Sequence, residues 1–183
     1  MKEFRYNFVG NYNIKSILRI LNNKSNSDWD YWKDRQLKYT VHRETKAIPI
    51  LIDSRYGYNG EVKGTESKFY KEFKHELDTL KKILTDVYGE GDILAIEIVN
   101  LPSNSKVDEH KDGGISLLKN PRIHLVLSTN DNVIFKVDGE EKNMKVGELW
   151  EINNTKTHSV INNGNADRIH MIIDFKKIKQ SLL

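Results

Sequence analysis

The sequence predicts a mainly β fold, a jelly-roll barrel backed by helices, and three observations predict it. After Ala47 the chain falls into short apolar or alternating runs: Ala47–Ile52, Ile93–Val99, Arg122–Ser128, Val133–Val137, Glu148–Ile152, His158–Ile161 and Arg168–Phe175. Turn signals punctuate them, with Asp138-Gly139 a good hairpin turn and Lys145-Val146-Gly147 a second break. Upstream, Phe69, Phe73, Leu77, Leu80, Leu84 and Val87 recur at steps of three and four, which gives a helix from Glu66 to Tyr88 one apolar face and places Gly89 to end it. Many short strands and one long amphipathic helix fit two packed sheets or a closed barrel, with the helix covering a sheet.

Taken in order, the first elements are a helix over Asn13–Leu21 and a second over Asp28–Leu37, which carries Trp29, Tyr31 and Trp32. No repeat or low-complexity linker divides the chain. Its 183 residues form one expected domain, residues 1–92 giving helical support and first strands and residues 93–175 the motif-bearing core strands.

Composition narrows the setting. With no cysteine, the fold cannot rely on disulfides, and any metal must be held by nitrogen and oxygen ligands. The net charge of +3 and pI near 8.9 are mildly basic. Lys74–Lys82 is interrupted by Glu76 and Asp78, and Lys176, Lys177 and Lys179 form a short terminal cluster, so these read as solvated faces and nucleic acid is not an expected partner. Met1–Arg5 is not followed by an apolar stretch like a secretory signal, and nowhere do about 18 apolar residues run together as a membrane span requires. A cytoplasmic protein without a membrane partner is expected.

The chemistry concentrates between Val107 and Phe175. His110-Lys111-Asp112 is followed by His158, and Arg-Ile-His occurs twice, at Arg122–His124 and Arg168–His170. Two histidines and one carboxylate are the ligand set of a mononuclear non-haem iron(II) site that leaves positions open for a cosubstrate and dioxygen. Side chains alternate along a strand, so Arg122, His124, Val126 and Ser128 share one face, as do Arg168, His170, Ile172 and Asp174. In a barrel those polar faces converge on one interior. His110 and Asp112 point the same way if Val107–Asp112 is extended, and a small-residue loop around Gly164 is expected to bring Arg168 back alongside His158. A 2-oxo acid with a second carboxylate needs a cation deep in the barrel, and the planar, permanently charged guanidinium of Arg168 is the candidate. Arg168 stands ten residues after His158, whereas the histidines downstream of a rival triplet, His42-Arg43-Glu44, are His75 and His110, with Thr85 and Asn120 at that spacing, so neither supplies the arginine.

These residues carry a family resemblance. Arg122-Ile-His124-Leu-Val-Leu, Gly147-Glu148-Leu-Trp150-Glu-Ile-Asn153, His158-Ser-Val-Ile-Asn162 and Asp167-Arg168-Ile-His-Met-Ile-Ile-Asp174 resemble the aspartyl/asparaginyl β-hydroxylase family of iron(II)- and 2-oxoglutarate-dependent oxygenases. The resemblance implies a double-stranded β-helix of jelly-roll type. It implies that His110 and His158 ligate iron, that Arg168 binds the distal carboxylate of 2-oxoglutarate, and that Arg122 and His124 lie by the same cosubstrate. Animal members acting on epidermal growth factor-like domains carry glycine at the acidic position. Asp112 sets this chain closer to bacterial members that hydroxylate free amino acids such as proline.

The expected activity is therefore a dioxygenase that hydroxylates a free amino acid or an amino-acid side chain, with release of succinate and carbon dioxide. Its requirements are Fe(II), 2-oxoglutarate and O2, and its partner is a small-molecule or peptide substrate. A metal-dependent hydrolase using the same three ligands, and a cupin-like module that binds without turnover, are the alternatives. Trp29, Tyr31, Trp32, Arg43 and Arg55 are candidates to line a substrate pocket, and Gly113-Gly114 beside Asp112 reads as a movable segment or a tight turn.

Overall fold

The computed structural model describes residues 3–53, 64–113 and 115–178, and it is built from two antiparallel sheets that face each other. In chain order come β1 (Tyr6–Asn11), α1 (Lys15–Leu21), α2 (Asn26–Trp29) and α3 (Lys33–Lys38). A single 3-10 turn at Thr40–His42 leads to β2 (Lys46–Asp53), β3 (Gly64–Glu66) and α4 (Tyr70–Tyr88). The second half supplies β4 (Gly91–Leu101), β5 (Ser105–His110), α5 (Ile115–Lys119), β6 (Arg122–Ser128) and β7 (Val133–Val137), followed by β8 (Glu140–Lys142), β9 (Glu148–Ile152), β10 (His158–Asn162) and β11 (Arg168–Lys177). The larger sheet has the order β1-β9-β6-β11-β4-β2-β3 and the smaller one β5-β10-β7-β8. This is the jelly-roll arrangement, mainly β with supporting helices, in its two-sheet rather than its closed form.

Alternation along β6 and β11 separates two cores. Ile123, Leu125, Leu127, Met171, Ile173 and Phe175 face the helices and pack with Ile17 of α1 and Phe73, Leu77, Leu80 and Leu84 of α4. Leu80 and Leu84 are fully buried, so truncating either to Ala costs about 2–5 kcal/mol. A second apolar cluster, including Leu101, Val126, Phe135, Val137 and Val160, lies between the sheets. The polar residues of β6 and β11 open onto that inter-sheet space.

Three helices differ from the expected bounds, the first being α1, which begins at Lys15 rather than Asn13, the Asn13 Oδ1 accepting the Lys15 N–H at 3.2 Å. α4 begins at Tyr70 rather than Glu66 because Glu66 is taken into a ladder with Leu51 of β2. Ser67 then accepts the Phe69 N–H at 3.1 Å and donates to the Pro49 carbonyl at 2.6 Å. Asp28–Leu37 is not one helix: Trp32 at φ −113°, ψ 50° lies outside helical space and separates α2 from α3. Gly89, at φ 84°, ends α4 as expected, donating to the Thr85 carbonyl at 2.9 Å. Asp138 and Gly139, at φ 50° and 85°, supply the two left-handed positions of the β7–β8 hairpin.

Candidate metal centre and cosubstrate cavity

His110 ends β5 and His158 begins β10, and the two residues are directly opposed in the ladder with ring centroids 4.3 Å apart. Each ring is fixed by its own backbone. His110 Nδ1 lies 2.8 Å from the Asp108 carbonyl and His158 Nδ1 2.9 Å from the Lys156 carbonyl. A carbonyl only accepts, so both Nδ1 atoms carry the proton and both Nε2 atoms present a lone pair to the cavity. Burial pushes the His158 pKa down, against the opposing pull of Asp112 and the Lys156 carbonyl, so this imidazole is neutral at neutral pH.

Asp112 completes the group from a position the alternation argument did not foresee. β5 stops at His110, and Asp112 stands in the following loop, tied down where its N–H donates to the Asn154 carbonyl at 3.2 Å. Its Oδ1 lies 3.8 Å from His110 Nε2 and 3.7 Å from His158 Nε2. Donors each about 2.1 Å from one ion are separated by no more than about 4.2 Å, a limit that Asp112 Oδ1 meets with both imidazoles. Among the described residues these three are the group of His and carboxylate side chains that can hold a metal, their ligand atoms lying within 4.8 Å of one another. Neutral nitrogens and one carboxylate oxygen, without sulfur, suit Fe(II).

Arg122 lies between this centre and the sheet. Its Nε and Nη2 each donate at 2.8 Å to the two oxygens of Asp174, the residue opposite it on β11, and its Nη1 donates at 2.8 Å to Asp112 Oδ2. Burial works against its charge, but Asp112 and Asp174 outweigh burial and hold its pKa well above the usual value. Burial likewise opposes ionisation of Asp112, and the Arg122 cation outweighs it and holds the carboxyl below its usual range.

Arg168 is the opposite case. It is 2% exposed, its Nη2 donates to His170 Nδ1 at 2.7 Å, and its guanidinium lies over the Phe135 ring at 5.5 Å. Its Nε is buried without a hydrogen-bond partner. Burial with no facing carboxylate pushes its pKa down to about 9, which leaves it a cation at neutral pH. Nearby, His124 is 4% exposed with both ring nitrogens unpartnered, and burial, Arg168 and Arg122 hold it neutral. Orphaned buried donors and acceptors of this kind are costly unless something meets them.

A cavity open to solvent, about 470 Å³ with its open mouth included, joins these groups, lined by the His110, Asp112 and His158 cluster, by Arg122, His124 and Arg168, and by apolar Val107, Phe135 and Ile172. Arg168 does not come back beside His158 as expected. Its strand belongs to the other sheet, and Arg168 pairs with Leu101, whose carbonyl receives Asn162 at the far end of β10. At about 3.3 Å per residue that end is roughly 13 Å of strand from His158. Arg168 is buried whereas His110 and Asp112 are half-buried, so the cation lies in the deeper part of the cavity and the ligand cluster nearer its mouth.

At the mouth, the rejected triplet returns in another part. His42 stacks edge-on against His110 with centroids 5.6 Å apart, and with Arg35 and Thr45 it lines the same cavity. Nothing in local sequence signals that proximity. Trp32 instead lines an adjoining cavity of about 370 Å³ that shares Arg122 and Ile172 with the first and carries the carboxylates of Asp53, Glu97 and Asp174. Trp29 packs on the helix-side core, Tyr31 is half exposed against Phe69, and Arg43 is exposed and paired with Glu44 and Asp108. Arg55 and Gly114 lie outside the described residues.

Fold and candidate site together define a jelly-roll protein with two histidines and an aspartate placed where they could hold a metal ion. The family model for aspartyl/asparaginyl β-hydroxylases matches residues 16–177, and the chain belongs to that family of hydroxylases. Its fold is similar to that of a 2OG-Fe(II) oxygenase family oxidoreductase from Burkholderia pseudomallei, at 12% identity and a TM-score of 0.58 over 75% of this chain and 70% of that one. It is also similar to a Pseudomonas putida prolyl-4-hydroxylase, at 12% identity and 0.52 over 97% and 95%. The non-haem monooxygenase ThoJ, in a nickel complex, aligns at 12% identity and 0.56 over 94% of this chain and 74% of that one. None of the curated proteins matches the chain. Among the described residues no helix is long and apolar enough to cross a membrane.

Proposed function

We propose that this hydroxylase is an Fe(II)- and 2-oxoglutarate-dependent dioxygenase acting on a free amino acid or an amino-acid side chain, with succinate and carbon dioxide as coproducts. The observation that carries the reading is Arg168, a buried cation without a carboxylate partner, at the far end of a cavity whose mouth holds His110, Asp112 and His158. A dicarboxylate with a metal-chelating 2-oxo acid at one end and a carboxylate at the other matches that spacing of charges. Bound iron(II) supplies the one-electron chemistry that dioxygen activation needs, with 2-oxoglutarate as reductant.

The rest is the work of the chain. His110 and His158 would hold the ion through Nε2 and Asp112 through Oδ1, with the Asp108 and Lys156 carbonyls keeping both imidazoles in the required tautomer. Arg168 would receive the distal carboxylate in a forked pair of hydrogen bonds, and His124, whose nitrogens face no protein partner, would contact the same cosubstrate. Val107, Phe135 and Ile172 exclude water between the two ends. All of this belongs to one oxygenase unit, with residues 93–175 carrying the ligand cluster and Arg168, and residues 1–92 supporting them and adding Arg35, His42 and Thr45 to the cavity wall.

A zinc hydrolase would have no use for the Arg168 cation, which supports the oxygenase reading over that alternative. The test is incubation with Fe(II), 2-oxoglutarate and oxygen against a panel of free amino acids and short peptides, with succinate as readout. Substrate-dependent succinate formation is expected. Activity with zinc alone, or binding of 2-oxoglutarate without succinate under any substrate, would replace the reading with the hydrolase or the non-catalytic module.

A further inference from the structure

We infer that Arg122, anchored by Asp174, is a positioning residue that commits one oxygen of Asp112 and leaves only the other to meet a metal ion. The inference rests on Asp112 being a metal ligand. It assigns to Arg122 a role toward the carboxylate itself, beyond its place beside the cosubstrate.

Three features of the geometry carry it. First, Asp112 comes from a loop, with His110 closing the strand before it and Gly113 following, so no ladder fixes its side chain. Second, Arg122 and Asp174 are cross-strand partners on β6 and β11, and the two-pronged hydrogen bond between them fixes the plane of the guanidinium from within one sheet. Third, the remaining Nη1 reaches across to Asp112 Oδ2 at 2.8 Å, while Oδ1 faces His110 Nε2 and His158 Nε2. A carboxylate held in this way offers one oxygen. A free one can rotate to offer both, occupying a position that a bidentate cosubstrate needs, or can turn out of the site.

The arrangement also accounts for the choice of arginine. A lysine ammonium is a point charge on a flexible stem and cannot hold one carboxylate in a fork while extending a third donor to another. All three contacted oxygen atoms lie in side chains at most 9% exposed, where water does not substitute for a lost donor.

The test uses cobalt(II) as the probe ion, without 2-oxoglutarate, on the native chain, Arg122→Gln, Asp112→Ala and the double variant. Removing a side chain that orients a metal ligand typically weakens metal binding about 10–100-fold, and Arg122→Gln is expected to lose cobalt(II) affinity by that factor. Because Arg122 acts through Asp112, the double variant should bind cobalt(II) no more weakly than Asp112→Ala alone. Arg122→Lys and Asp174→Asn, in both Asp112 backgrounds, give the same comparison if Arg122→Gln does not fold. Native affinity in the Arg122 variants, or losses that multiply in the double variants, would overturn the inference. The oxygenase reading stands or falls separately, on succinate formation by the native chain with iron(II).

Discussion

The two Arg-Ile-His segments of this chain, at Arg122–His124 and Arg168–His170, sit on antiparallel neighbours of one sheet and turn the same face to one cavity, yet their arginines are in opposite electrostatic states. Arg122 meets two carboxylates and its pKa is held well above the usual value. Among the described residues Arg168 has a histidine and an aromatic ring for partners and no carboxylate, and burial pushes its pKa down to about 9. The fold neutralises the first internally and, among the described residues, gives the second no carboxylate. A buried charge that the chain does not pair marks where an outside group of opposite sign belongs.

The largest effect that can break this contrast is on stability. Arg122→Met leaves Asp112 and Asp174 buried without their cation, and removing one partner of such a pair costs about 3–5 kcal/mol. For a chain of this size that lowers Tm by roughly 6–20 °C, measurable by calorimetry. Arg168→Met removes a charge that has no counter-ion, so the ligand-free variant should be as stable as the native chain or more stable by about 1–3 kcal/mol. If both substitutions destabilise alike, the asymmetry between the two arginines is wrong.

A smaller effect concerns acid. His124 and His170 have pKa values held well below the ordinary 6.5, by burial first and by the Arg168 cation next. Their unfolded forms take up protons that the folded forms refuse, so stability is complete above pH 6.5 and is lost as pH falls below it, by about 1.4 kcal/mol per pH unit for each proton. Denaturant titrations of ligand-free protein should show that slope falling by one proton's worth in His124→Phe. An unchanged slope would mean that His124 is already charged, or paired, in the folded chain. The smallest effect is the control: Arg43, exposed and ion-paired with Glu44 and Asp108, should change stability by less than about 0.5 kcal/mol on truncation to Ala.

Apolar strands were legible from sequence, and β6, β7 and β9 have the bounds read from their residues. Each buries at least one face in a core, and β6 and β9 send opposite faces into the two, so the apolar run itself marks the strand. The short or polar strands β1, β3 and β8 were not legible, because edge strands bury too little for a pattern to form. Tyr6 and Phe8 of β1 hold their place by packing against Trp150, which is a tertiary fact.

The site divides along the same line. His110, Asp112 and His158 could be named from residue type, and the cation from its spacing after His158. The route by which they meet was partly misread, since Arg168 crosses from the opposite sheet and Asp112 stands beyond its strand. His42 was set aside because its own triplet lacks companions, yet the 3-10 turn brings it against His110. That the two arginines differ is invisible in two identical tripeptides. It follows from Asp174 facing Arg122 across the ladder, where Arg168 faces Leu101 and Ile169, one residue on, pairs with Ser128.

The central claim is that one cavity holds a metal at its mouth and a dicarboxylate between that metal and Arg168. Anaerobic addition of 2-oxoglutarate to the Fe(II)-loaded chain tests it most directly, followed by the visible charge-transfer band that forms when a 2-oxo acid chelates iron(II). The account predicts one iron per chain and a band that appears only with 2-oxoglutarate. In Arg168→Ala the band should need roughly thirty-fold more 2-oxoglutarate, the equivalent of about 2 kcal/mol or more for losing one partner of a desolvated pair, with iron affinity unchanged. A native chain without the band, or an Arg168→Ala variant with the native 2-oxoglutarate requirement, would contradict it.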